Sequence, residues 1–272
     1  MRHGSHTFPL AIALSLVATT ARAQSAEPDP AAGDLARQLQ NPVANLITVP
    51  IESNWEFGIG PARSTDYFGA LKPVIPFPLG ANWHVITRTI LPFSYSVLLD
   101  RGASGHVGVG DAVVTAYLSP TKPARGWFWG VGPGLVLPSA TDDSLGSGKW
   151  SAGPTGAAIK QRGPWTFVAL VGQAWSFAGR DNRERVNTTV LQPSLSYTTE
   201  RDTTLGIGIS SAYNWTADLW ALPLEVSASQ LLHVSSQAMS LGLTVRSHLD
   251  RPESGPNWGL AFTAAFLFPK RL

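Results

Sequence analysis

Beyond Asn45 the chain is a run of short segments in which apolar or aromatic residues recur at every second position, separated by turn residues. Ser53-Asn54-Trp55-Glu56-Phe57, Trp83-His84-Val85-Ile86-Thr87-Arg88 and Trp258-Gly259-Leu260-Ala261-Phe262 carry the pattern. A period of two sends alternate side chains to opposite faces, which is the signature of strands. The spacing predicts twelve of them, at 48–59, 66–77, 82–95, 107–119, 126–137, 149–161, 164–176, 185–197, 202–215, 219–230, 237–248 and 257–268. A pitch of about twenty residues accommodates crossing segments of ~9–11 residues plus connections. An even number of such strands predicts an all-β fold, a closed antiparallel transmembrane β-barrel.

The N-terminus agrees with export. Arg2 and His3 precede an apolar stretch from Pro9 to Thr20, and Ala21-Arg22-Ala23 offers a small-x-small cleavage pattern, so residues 1–23 read as a signal peptide. The apolar stretch is too short for a membrane helix. Residues 24–45 form an N-terminal periplasmic segment and 46–272 the barrel. Leu35 to Gln40 suits a short helix ending near Asn41-Pro42, placed under the barrel or inside its lumen as a plug.

Loss of residues 1–23 removes Arg2 and Arg22 and no acid, so the formal charge falls from +2 to zero. The basic balance of the whole chain is therefore no argument for nucleic acid. The absence of cysteine excludes disulfides and thiolate metal sites. Ten tryptophans and 26 glycines suit aromatic girdles and close strand packing.

With both termini periplasmic, turns near 78–81, 120–125, 162–163, 198–201 and 231–236 face the periplasm. The connections at 96–106, 138–148, 177–184 and 249–256 are longer and more polar, the asymmetry expected of this class; the one near 216–218 is short. In the last strand Trp258, Leu260, Phe262, Ala264, Phe266 and Phe268 share one parity and claim the lipid face.

Membrane barrels place apolar side chains outward and polar ones inward. Glu52, Asn54 and Glu56 then face the lumen against Val49, Ile51, Trp55 and Phe57. Lys72 opposes Leu71, Ile75 and Phe77. His84 and Arg88 share one inward register, and Asp111, Thr115 and Tyr117 another. Lys160, Glu225, Arg246 and His248 complete the set. An Arg or Lys at the bilayer midplane costs about 2–4 kcal/mol, which favours the lumen for these charges. Four acids (Glu52, Glu56, Asp111, Glu225) and four bases (Lys72, Arg88, Lys160, Arg246) admit two readings. One is a constriction that selects a solute by charge and size; the other is an ionic network that fills a narrow interior.

Other features carry less. Asp142-Asp143 could hold a cation, though two neighbouring carboxylates are scant evidence. Arg180-Asp181-Asn182-Arg183-Glu184-Arg185 reads as a solvated loop tip able to meet anionic groups of surface lipid. Gly108-Val109-Gly110-Asp111 lacks the Lys-Ser/Thr continuation of a phosphate loop. Pro73 and Pro76 predict a bulge or break in the second strand, and Pro50, Pro92, Pro133, Pro193 and Pro223 fall inside strands. No Gly-x-Ser-x-Gly or His-Glu-x-x-His motif occurs. A Ser–His pair facing lipid, built on His84, His106 or His248, is the hydrolase alternative.

Leu35 to Pro50, Asn54-Trp55-Glu56-Phe57-Gly58-Ile59-Gly60, Lys72-Pro73-Val74-Ile75-Pro76-Phe77, Arg88-Thr89-Ile90-Leu91-Pro92 and Gly130-Val131-Gly132-Pro133 form a whole-chain pattern. Trp150-Ser151-Ala152-Gly153-Pro154, Gln192-Pro193-Ser194-Leu195-Ser196-Tyr197 and Phe266-Leu267-Phe268-Pro269-Lys270 complete it. It resembles a family of uncharacterised Gram-negative exported proteins labelled transporter. Some members bear the peptide-hormone label neuromedin U, which a dozen strands contradict. More distantly it is similar to outer-membrane proteins associated with aromatic-compound degradation, through Gly108-Val109-Gly110-Asp111. The resemblance implies a barrel and uptake of hydrophobic solutes, with no catalytic residues to carry over.

The expectation is thus an outer-membrane channel or transporter for small solutes, hydrophobic or aromatic compounds among them. A structural or binding barrel with a closed lumen is the alternative, ahead of a lipid hydrolase. Outer-membrane lipid, lipopolysaccharide and the barrel-assembly machinery are the expected partners, with no cofactor.

Overall fold

The alternating segments fold as strands that find partners on both sides. The computed structural model describes residues 30–95, 107–252 and 255–269. The expected signal peptide, residues 1–23, lies outside them, as does His106. The twelve strands are β1 (Leu46–Ile59), β2 (Ser64–Leu71 and Val74–Leu79), β3 (Trp83–Tyr95), β4 (Val107–Val109 and Ala112–Pro120), β5 (Trp127–Leu137) and β6 (Lys149–Arg162). There follow β7 (Trp165–Gly179), β8 (Asn187–Thr198), β9 (Thr203–Ile209 and Ser211–Asn214), β10 (Leu219–Val234), β11 (Gln237–Asp250) and β12 (Trp258–Pro269). Each pairs antiparallel with its sequence neighbours, and β12 returns to β1 from Leu46↔Pro269 to Phe57↔Trp258. Among the described residues closure leaves no strand without a partner on either side, which is what hydrocarbon demands of a sheet.

The prolines are absorbed locally. Strand β2 breaks at Lys72-Pro73, while Pro76 stays in the ladder opposite Ile86. Pro133 and Pro154 face each other across β5 and β6. On their far sides the ladders skip, between Thr115↔Gly134 and Leu118↔Val131 and between Ala152↔Trp175 and Thr155↔Gly172. Those gaps fall where the missing N–H groups would have donated.

Two rims emerge. At one end the connections run 80–82, 121–126, 163–164, 199–202 and 235–236; at the other they include 60–63, 138–148, 180–186 and 215–218. All ten tryptophans are exposed on the bare chain and sit near these rims. Trp83, Trp127, Trp129 and Trp165 ring the short-turn end; Trp55, Trp150, Trp175, Trp215, Trp220 and Trp258 ring the other. Trp83 packs edge-on against Trp129 at 5.9 Å and Trp165 against Tyr197 at 5.0 Å. Between the rims, Val131, Val171, Leu195, Ile207, Val226, Leu243 and Phe262 are exposed too. A continuous apolar band this size is intolerable in water and suits a bilayer core with aromatic girdles.

Helix α1 (Pro30–Leu39) lies at the short-turn mouth. Leu35 and Ala36 bury against Ala44, Leu46, Leu231, Ala238, Ala265 and Leu267, an apolar cluster on the inner side of β10 to β12 and β1. On the opposite wall Arg37 donates to Gly163 O, while Gln161 Nε2 donates to Arg37 O at 2.8 Å. The helix ends where expected: Asn41 N bonds Gln38 O, and Asn41 Oδ1 accepts from Val43 N. Val43 then enters a second inner cluster with Ile86, Tyr117, Ala157, Ile159 and Val168. The segment therefore crosses the mouth and fills part of it.

Candidate lumen site

Parity and burial place Leu46, Thr48, Glu52, Asn54 and Glu56 on the inner face of β1, with Ile51 and Trp55 exposed outside. Alternation on β11 puts Thr244, Arg246 and His248 inside and Leu243, Val245 and Leu249 outside. These two rows meet across β12, because Arg246 pairs with Gly259 and Gly259 with Glu56. Gly259 matters here: a Cβ on it would lie 2.5 Å from Glu56 Oε2.

The result is a network on one wall. Arg246 Nη1 donates to Glu56 Oε1 at 2.5 Å, Nε to Glu225 Oε1 at 2.9 Å and Nη2 to Asn54 Oδ1 at 3.3 Å. His248 Nε2 lies 2.9 Å from Glu56 Oε2, and Ser210 Oγ donates to Glu225 Oε2 at 3.2 Å. His248 thus turns toward a carboxylate in the interior, opposite to the lipid-facing geometry of the hydrolase alternative. A second pair, Lys72 Nζ to Glu52 Oε2 at 2.5 Å, joins β1 to the break in β2. Half-buried charges are tolerable when each has such partners.

Arg88 is different. It lies on the inner row of β3 with His84 and Ile86, opposite Thr115. Among the described residues its guanidinium has no carboxylate partner. It borders two spaces. One, about 260 Å³, is shared with Gln38 to Pro42, Glu52 and Lys72. The other, about 380 Å³, lies against β3 to β8 between Ile90, Val113, Val136, Leu170, Val190 and Gln192.

Two of the charges predicted for the lumen serve elsewhere. Lys160 is a correction: its strand points Ala157, Ile159 and Gln161 inward, so Lys160 lies outside, opposite Trp127. Its ammonium sits 5.3 Å from that ring's centroid and donates to Arg125 O, a basic head held at the aromatic rim. The run Ala157-Ala158 carries no polarity contrast from which the register could be read. Asp111 occupies the break in β4 and accepts from Ala140 N, Ser147 N and Ser147 Oγ at 3.2, 2.6 and 2.7 Å. It pins the loop 138–148 to the wall.

The loops also depart from a solvated tip. Arg180 bonds Asp143, and Arg183 donates to Asp143 O, Gly146 O and Ser147 O. Asp142 accepts from Ser144 N and Oγ. Among the described residues no three carboxylates or histidines gather as a metal site. Sequence reasoning missed Gln192 and Thr188 as cavity residues and Gly259 as the bridge. Isolated polar side chains in the apolar runs around 168–174 and 188–193 were the available signal.

A closed twelve-stranded wall with two aromatic girdles and a charged interior defines an outer-membrane β-barrel. The chain belongs to the family described as "Putative MetA-pathway of phenol degradation", whose model matches residues 65–221, more than half of it. Among solved structures it is similar to the COG4313 outer membrane channel from Pseudomonas putida F1. That TM-score is 0.65 at 15% identity, covering 82% of this chain and 96% of that one. The NanC porin gives 0.52 at 11% identity, covering 82% of this chain and 100% of the porin. Both likenesses concern the fold. No curated protein sequence matches the chain.

Proposed function

We propose that the barrel passes small solutes across the outer membrane, aromatic compounds among them, with the N-terminal segment setting the width of the mouth. The observation that carries this reading is the inner cavity of about 380 Å³ beside Arg88, lined almost wholly by strand residues. Its apolar walls suit a solute with an apolar body, consistent with a family described by phenol degradation. Glu52, Glu56, Lys72, Glu225 and Arg246 serve mainly to pair and shape the wall, leaving Arg88 as the selecting charge. The apolar belt sits in lipid, with lipopolysaccharide at the long-loop rim and insertion by the barrel-assembly machinery.

The test is conductance of refolded protein in a planar bilayer, with and without residues 25–41. Discrete openings, enlarged by the deletion, are expected. Silence in both proteins, with folding verified by heat-modifiable migration, would mean that the clusters around Leu35 and Val43 belong to a packed structural barrel.

A further inference from the structure

We propose that the cavity beside Arg88 is a binding subsite for small amphipathic monocarboxylates, an apolar or aromatic body bearing one carboxylate. The proposal rests on the channel reading for the route by which such a molecule arrives.

Three cations line the described interior, and two are matched. Lys72 has Glu52, and Arg246 has Glu56 and Glu225. Arg88 has no carboxylate among the described residues, and it is the one charged side chain lining the larger cavity. Glu52 borders the adjoining space, but Lys72 already holds it. A guanidinium stays protonated under all physiological conditions, so its charge cannot be relieved by proton loss. Half-buried beside Ile90, Val113 and Val136, it gains most from an anion that brings its own apolar surface. The flat fork of donors matches a carboxylate through two parallel hydrogen bonds. A volume near 380 Å³ falls within the ~300–1,000 Å³ usual for small-molecule sites. Gln192 and Thr188 add neutral polar groups without a competing negative charge.

Binding to the refolded full chain in detergent micelles tests this with three probes. Benzoate has both head and body, acetate the head alone, and benzyl alcohol the body without charge. Benzoate is expected to bind at least tenfold more tightly than either. Arg88→Gln should cut benzoate affinity tenfold or more and move benzyl alcohol less than twofold. Thr115→Glu is a second route, because residue 115 is the register partner of Arg88 on the same inner face. It supplies an internal carboxylate and should suppress benzoate binding with the arginine intact. Equal binding of acetate and benzoate, or benzoate affinity unchanged in a folded Arg88→Gln protein, overturns the subsite. Permeation of benzyl alcohol without benzoate preference would sink the subsite and leave the channel. Arg88-dependent benzoate binding without conductance would do the reverse.

Discussion

Arg246 reaches Glu56 over the bare backbone of Gly259, two strands of the sheet joined through the one between them. The arginine also bonds Glu225, so a single cation holds two carboxylates that would otherwise repel. Replacing it by Gln leaves both acids in a poorly hydrated wall. Removing one member of such a buried pair typically costs about 3–5 kcal/mol, and partial exposure here sets the lower end as the expectation. Adding Glu56→Gln and Glu225→Gln should recover most of the loss. Equilibrium unfolding in urea from lipid vesicles measures both; equal stability of Arg246→Gln and the parent would show that the network contributes nothing.

The bridge itself is testable at Gly259. An alanine Cβ would sit 2.5 Å from Glu56 Oε2, the oxygen that His248 Nε2 meets at 2.9 Å, while Arg246 Nη1 holds Oε1 of the same carboxylate. The carboxylate must move and surrender one of those partners. A destabilisation of about 1–3 kcal/mol is expected, the range for overpacking. In a Glu56→Ala background the same substitution should cost little. Additive losses in the double-substitution cycle would disprove the steric link.

Much of this was legible from alternation. The twelve strands were visible because apolar and polar residues share a period of two along β1, β11 and β12, and Glu56, Lys72, Arg88 and Arg246 took the inner parity from apolar neighbours. Lys160 failed because Ala157 and Ala158 give that stretch no contrast. Asp111 sat next to a glycine in a strand break, where parity has no meaning. Three further things were invisible: the partner of each charge, the clasp of Arg183 on the neighbouring loop, and the gap that Gly259 leaves. They depend on which strands become neighbours, a long-range fact with no local signal.

Because the chain contains no cysteine, single cysteines can report which way each position faces. Spin labels at 243, 245 and 160 should be relaxed by oxygen dissolved in lipid. Labels at 244 and 161 should respond to a water-soluble nickel complex. Alternation along 243–246 checks the strand register. A water-accessible label at 160 with a lipid-accessible one at 161 would reverse the assignment of Lys160 to the outer rim.

Asp111 gives the last prediction. Its two oxygens accept three hydrogen bonds from residues 140 and 147, with Gly146 packed against its carboxylate. Asn at this position keeps the shape but removes the charge and turns one oxygen into a donor facing Ser147 N. Each charge-assisted bond contributes roughly 1.5–3 kcal/mol at most in such settings, and exposure of the loop reduces that. The loop 138–148 should therefore exchange its amide hydrogens faster, by tenfold or more at residues 140 and 147, while β10 to β12 keep their protection. Proteolysis should show the same locality, with new cuts in 138–148 and an intact barrel band. If Asp111→Asn instead altered conductance without loosening the loop, the carboxylate would belong to the permeation path and its anchoring bonds would be incidental.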